Sequence, residues 1–122
     1  MNKLVKSVSN SNLYYEFLQS LNGILKLTDR ELELFAILLK FDVEYVKVPN
    51  KPKNIGNTAN RKWIIENLGI TRDNLSRYLN KFRDEGFIVR GRTEGELYVA
   101  RALIPVIIND RVQITIILKV DE

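Results

Sequence analysis

The chain has 122 residues, 45% hydrophobic and 28% charged, with a net charge of +4; that length suits one domain with its own core. It contains neither cysteine nor histidine, which removes disulfide frameworks, thiolate metal sites, the commonest general base and the commonest transition-metal ligand. Nothing resembles a signal peptide and no apolar run approaches the ~20 residues of a membrane span, so the expectation is a cytoplasmic protein without catalysis, cofactor, metal or membrane contact.

The charge is unevenly placed. Residues 1–46 carry 5 Lys/Arg against 6 Asp/Glu, residues 47–92 carry 11 against 4, and residues 93–122 carry 3 against 5. A central block this basic suits a polyanionic partner, although lysine and arginine are exposed on most proteins.

Residues 1–9 are polar with scattered Leu and Val and read as an arm. Ser11 or Asn12 can cap a helix running to about residue 25, whose Tyr14, Phe17, Leu18, Leu21, Ile24 and Leu25 follow the 3.6-residue period. Thr28-Asp-Arg-Glu31 is a capping box. The helix after it, to about Lys40, is apolar almost all round through Leu32, Leu34, Phe35, Ala36, Ile37, Leu38 and Leu39, which predicts the central buried helix. Val43, Tyr45 and Val46 predict a short strand. Residues 49–57 form a Pro/Gly/Asn loop whose Lys51 and Lys53 suit either phosphate contact or plain solubility.

Residues 60–98 organise the rest. Trp63, Ile64 and Leu68 recur at helical spacing, and so do Leu75, Tyr78, Leu79 and Phe82 at i, i+3, i+4, i+7. Between them, Gly69 can end the first helix in a left-handed conformation and Thr71 can cap the second. Gly86 stops that helix. Phe87-Ile-Val89 and Leu97-Tyr-Val99 then read as two strands around a Gly91-to-Gly95 turn. After them, residues 101–108 and 111–120 predict two more strands joined at Asn109-Asp110. Val112, Ile114, Ile116, Leu118 and Val120 share one face, and such a strand needs cover from the N-terminal helix, a second subunit or another protein.

The segment Ile70-Thr-Arg-Asp-Asn-Leu-Ser-Arg-Tyr-Leu-Asn-Lys-Phe-Arg-Asp-Glu-Gly-Phe-Ile-Val89 resembles the recognition helix and first wing strand of the winged helix-turn-helix superfamily, in the manner of MarR-type regulators and plasmid replication initiators. The resemblance implies an α+β fold: a trihelical core plus wing hairpin over residues 28–100, extended here by the arm and helix of residues 1–26 and the C-terminal strands of 101–122. It also implies double-stranded DNA as partner. On the outward face of the second helix, Arg77 suits a fork to guanine, and Asn74 or Asn80 suits adenine. Arg72, Ser76 and Lys81 suit phosphate or mixed contacts, and Thr71 sits where the helix N-terminus can receive a phosphate. Arg61 and Lys62 suit the backbone, and Arg90 and Arg92 place charge on the wing. Asp73, Asp84, Glu85, Glu94 and Glu96 oppose phosphate, unless Asp73 accepts from cytosine or orients Arg77.

Enzymatic readings fare poorly. Glu31 and Glu33 are two apart and do not face each other, and neither G-x-x-x-x-G-K-S/T nor G-x-G-x-x-G occurs. The first expectation is therefore a sequence-specific DNA-binding regulator of transcription or replication, forming a homo-oligomer or partner complex through the N-terminal helix or C-terminal strands. The second is a winged-helix adaptor in a multi-protein assembly such as a phage virion, in keeping with the Asn/Lys/Ile-rich flavour of a phage or mobile-element protein. RNA binding is the weakest, because no stacking platform is visible.

Overall fold

In the computed structural model, which describes residues 3–121, the N-terminal apolar pattern makes two helices where the sequence predicts one. After a 3-10 turn at Asn10–Asn12, α1 runs Leu13–Ser20 and α2 runs Asn22–Leu25, broken at Leu21. No side-chain cap from Asn12 starts α1, and Ser11 bonds the Ser9 hydroxyl. The end of α2 has a local cause. The Asn22 amide grips Leu27 at both backbone groups, donating to its carbonyl (2.9 Å) and accepting from its N–H (2.8 Å). Lys26 is thereby held in the left-handed region at φ 57°, a conformation that costs a non-glycine residue about 1–2 kcal/mol and that the two amide bonds offset. Phe17, Leu18 and Leu27 are buried, but Ile24, expected on the same face, lies past the break and is exposed.

The capping box forms as expected. Thr28 Oγ1 accepts the Glu31 N–H (3.2 Å), and Glu31 Oε1 accepts the Thr28 N–H (2.8 Å). It opens α3 (Asp29–Val43), which buries Leu32, Leu34, Phe35, Leu38 and Leu39 and packs against α1. Each such side chain contributes roughly 1.5–3 kcal/mol by leaving water. Phe35 receives Phe82 and Phe87 edge-on, with ring centroids 5.1 and 6.0 Å away, the geometry that ring quadrupoles favour.

The strand expected at Val43, Tyr45 and Val46 does not form. Val43 ends α3, and no ladder includes Tyr45 or Val46. Just before them Asp42, a carboxylate only 8% exposed, sits in the last turn of α3, where it opposes the helix dipole. Its Oδ2 accepts the Val99 N–H (2.8 Å), and its Oδ1 accepts Lys53 Nζ (2.8 Å).

Val99 belongs to the first hairpin, in which β1 (Ile88–Arg90) pairs antiparallel with β2 (Leu97–Val99), Ile88 opposite Val99 and Arg90 opposite Leu97. The flanking bonds run from Ala100 N–H to the Phe87 carbonyl and from Gly91 N–H to the Glu96 carbonyl. Alternation along an antiparallel ladder then turns the backbone groups of Leu97 and Val99 away from β1. That outer edge is satisfied residue by residue. Leu97 N–H donates to the Lys53 carbonyl (2.8 Å), the Leu97 carbonyl accepts the Ile55 N–H (3.1 Å), and Val99 N–H meets Asp42. Residues 53–55, bridging parallel at Asn54, thus line the edge of β2 that β1 leaves open.

Beyond a 3-10 turn at Arg101–Leu103, the second hairpin is far shorter than the sequence predicts. β3 (Ile107–Ile108) and β4 (Arg111–Val112) make two rungs, Ile107 opposite Val112 and Ile108 opposite Arg111. The turn itself is as read: Asn109 and Asp110 both have positive φ (51° and 59°), the type I′ requirement. Residues 101–103 are spent in the 3-10 turn, and the buried Pro105 has no N–H to give a ladder. Residues 113–121 therefore have no strand to pair with.

Among the described residues the chain is an α+β fold of five α-helices and two small antiparallel sheets, an arrangement compatible with a helix-turn-helix followed by a hairpin. Replacing Asp42 by Ala strands a buried N–H and a lysine, so unfolding free energy should drop by about 2–3 kcal/mol. Asp42→Asn, which keeps an acceptor for Val99, should cost less. Urea denaturation of the two variants measures both effects, and equal losses would remove the Val99 bond from the account.

Candidate nucleic-acid interface

Three asparagines build the platform before the first helix of the pair. Asn54 Oδ1 accepts the Gly56 N–H, Asn57 Nδ2 donates to the Asn54 carbonyl, and Asn60 Nδ2 donates to the Ile55 carbonyl, all at 2.8–2.9 Å. Asn57 also caps α4 (Thr58–Leu68), accepting the Asn60 N–H at 2.9 Å. Arg61, expected at a phosphate, turns back and donates Nε to the Gly56 carbonyl (2.8 Å). Its neighbour Lys62 is exposed. Trp63 is 45% exposed and stands edge-on to Phe41, while Ile64 is fully buried.

Gly69 ends α4 with φ 64°, as its position predicts, and the Arg30 guanidinium bonds the Leu68 carbonyl beside it. Thr71 caps α5 (Arg72–Asp84) by accepting the Asn74 N–H (3.1 Å). Leu75, Leu79 and Phe82 are buried and Tyr78 is half-buried, so the helical stripe lies where the sequence puts it. At 100° per residue the outer crest of α5 is then Asp73, Arg77, Asn80 and Asp84, with Arg72 and Ser76 on one flank and Asn74 and Lys81 on the other. Arg77 is exposed and donates to Asn74 Oδ1 (2.8 Å), which holds its guanidinium along the helix. Asn80 accepts from Arg83.

Lys81 is committed elsewhere. Its ammonium pairs with Glu31 Oε2 across 50 residues and ties α5 to the first turn of α3. Burial by itself would raise the Glu31 carboxyl. The Lys81 ammonium and the Thr28 N–H and hydroxyl outweigh that and hold it below its ordinary value of 4.5. Lys53 is committed likewise, to Asp42, with its ammonium also 5.7 Å from the Tyr45 ring centroid.

In the first hairpin Arg90 and Arg92 are both exposed. A depression of about 520 Å³ at the α5–β1 junction is lined by Arg83, Asp84, Gly86, Ile88, Val89 and Arg90. It brings Arg83, which sequence reasoning passed over, together with Arg90; the signal available was the next basic residue toward the hairpin. A second cleft of about 460 Å³ runs between the hairpin turn and the loop before α4, with Lys47, Lys51 and Lys53 on its wall opposite Thr93 and Glu96.

The basic block of residues 47–92 thus divides in two. Of its 11 Lys and Arg residues, Lys53 and Lys81 pair with carboxylates, and the other nine have no carboxylate within ion-pair distance among the described residues. No group of three His, Cys, Asp or Glu side chains able to hold a metal ion occurs among those residues, and no helix there is long and apolar enough to cross a membrane.

The depressed Glu31 carboxyl sets a sign for acid stability. Its contribution is complete above 4.5 and is lost as pH falls through the lower folded value. The stability advantage of the native chain over Glu31→Gln should therefore be constant above about pH 5 and close on acidification. Urea midpoints between pH 3 and 7 measure it, and a pH-independent difference would detach Glu31 from the acid response. No protein-family model matches the chain, and comparisons with curated proteins and with solved structures found no match.

Proposed function

We propose that the chain is a winged helix-turn-helix protein that binds double-stranded DNA, as a regulator of transcription or replication. α5 would enter the major groove, and the β1–β2 hairpin would lie against the adjoining backbone as the wing. The observation that carries this reading is the division of the cations. Lys53 and Lys81 hold the framework, while Lys62, Arg72, Arg77, Arg90 and Arg92 are exposed on α4, α5 and the hairpin with no carboxylate partner among the described residues. Cations so placed would displace counterions from a duplex on binding. The pairing of Arg77 with Asn74 supports a base-reading role, because a guanidinium already aligned loses less freedom on forming two bonds to guanine. Asp73 and Asp84 on the crest would then reject most phosphate contacts there and leave the flanks, Arg72 and Ser76, to the backbone.

A second reading, an adaptor within a protein assembly, is favoured by one observation: Ile116, Ile117, Leu118 and Val120 are 48–86% exposed, and DNA reading has no use for them. The readings part on salt. Selection from a random duplex pool across a salt series should enrich a short motif, with affinity falling steeply as salt rises. Retention of nothing at low salt would give the adaptor reading the field.

Arg77→Ala should lower affinity for the selected site by about 10- to 100-fold and relax preference at one base pair. Lys62→Ala or Arg92→Ala should weaken all duplexes alike and reduce the salt slope by about one. Lys81→Ala should lower the melting temperature while sparing affinity measured on the folded fraction. If Lys81→Ala and Arg77→Ala behaved alike in a binding titration, α5 would not be the reading element.

A further inference from the structure

β4 has β3 on one edge only, and the chain runs on from it through residues 113–121 without helix, turn or ladder. Val112, Ile114, Ile116, Leu118 and Val120 alternate along this stretch, and the alternation divides in the middle. Val112 and Ile114 pack against the core. Ile116, Leu118 and Val120, on the same face, are 48%, 86% and 84% exposed. The first half is thus seated and the second half overhangs.

We infer that residues 111–121 pair antiparallel with the same residues of a second copy of this chain, in a two-fold register centred on Ile116. In that register Ile116 meets the partner's Ile116, Ile114 meets the partner's Leu118, and Val112 meets the partner's Val120. Each overhanging half lies beside the half that is seated on the other copy's core, so one apolar face becomes continuous and covered from both ends. Charge selects the same register. Arg111 falls opposite the partner's Asp121 at both ends of the ladder, and opposite charges facing across strands stabilise while like charges destabilise. Centring instead on Thr115 keeps the faces matched but sets Arg111 against the partner's Lys119. An isologous pairing of this kind also closes an edge that would otherwise recruit further strands.

The inference does not depend on DNA binding, and its test needs none. The chain has no cysteine, so a single introduced thiol reports one position. Directly opposed Cα atoms in an antiparallel pair lie about 4.5–5.5 Å apart, within the Cα separations that a disulfide spans. Under mild oxidation of the 122-residue chain, Ile116→Cys should cross-link to a covalent dimer, whereas Ile114→Cys and Thr115→Cys alone should not. A mixture of the Ile114→Cys and Leu118→Cys proteins should cross-link to each other. Light scattering of the unmodified chain should give the mass of two copies. Arg111→Asp and Asp121→Arg should each weaken the dimer about tenfold, and the double swap should restore it.

A monomeric mass at high micromolar concentration would overturn the proposal. So would a dimer in which Ile116→Cys does not cross-link, since another surface, such as residues 3–9 with their exposed Leu4 and Val5, would then hold the copies. Cross-linking that is equal at 114, 115 and 116 would overturn the register by showing unspecific collision.

Discussion

The Asp42 carboxylate is the point on which the two halves of this molecule meet. One oxygen satisfies an N–H on the outer edge of β2 and the other receives the lysine of the loop leading to α4. A carboxylate in the last turn of a helix works against the helix dipole and, when buried, against its own solvation. It is tolerated only because both of its oxygens are bonded, and that requirement fixes where the hairpin sits relative to α3. The loop is placed by the other oxygen of the same carboxylate, so the start of α4 and the hairpin are registered through one side chain.

The opposite end of α3 works by the same means with the pieces exchanged. Glu31 closes the capping box and reaches Lys81 on α5, and Arg30 bonds the last carbonyl of α4. The central helix therefore carries a polar clasp at each end and an apolar middle, where Phe35 meets the rings of Phe82 and Phe87. The middle supplies most of the burial energy, which is insensitive to direction. Clasps of fixed geometry convert that unspecific adhesion into one relative orientation of α4, α5 and the hairpin.

What the sequence made legible was local. Thr28-x-x-Glu31, the glycine at 69, the cap at Thr71 and the stripe of Leu75, Leu79 and Phe82 each act within a turn or two of chain, and each stands where its pattern puts it. The turn at Asn109-Asp110 is of the same kind. What remained hidden depended on distant partners. Asp42 reads as an ordinary surface acid until Val99, 57 residues later, arrives beside it. Lys81 has the look of a phosphate contact until Glu31 claims it, and Arg61 until Gly56 does. Tyr45 and Val46 have strand propensity, but the edge they would fill is already taken by residues 53–55. Propensity proposes a strand, and the available edge decides which residues make it. Stop points were hidden too: the Asn22 amide closes α2 by clamping Leu27, and Pro105 sits in an apolar run that predicts a strand but gives no N–H to a ladder.

The separation of the basic residues into two populations bears on how such a surface could change over generations. Lys53, Lys81, Arg30 and Arg61 are each bonded to a partner inside the framework, so replacing them alters the fold before it alters any surface property. Lys62, Arg72, Arg90 and Arg92 have no carboxylate partner among the described residues, and exposed substitutions of that sort typically shift stability by less than about 0.5 kcal/mol. Drift can therefore rewrite the charge pattern that α4, α5 and the hairpin present without passing through an unfolded intermediate sequence. A lineage built on this framework can reshape the charge of that surface while the scaffold beneath stays the same.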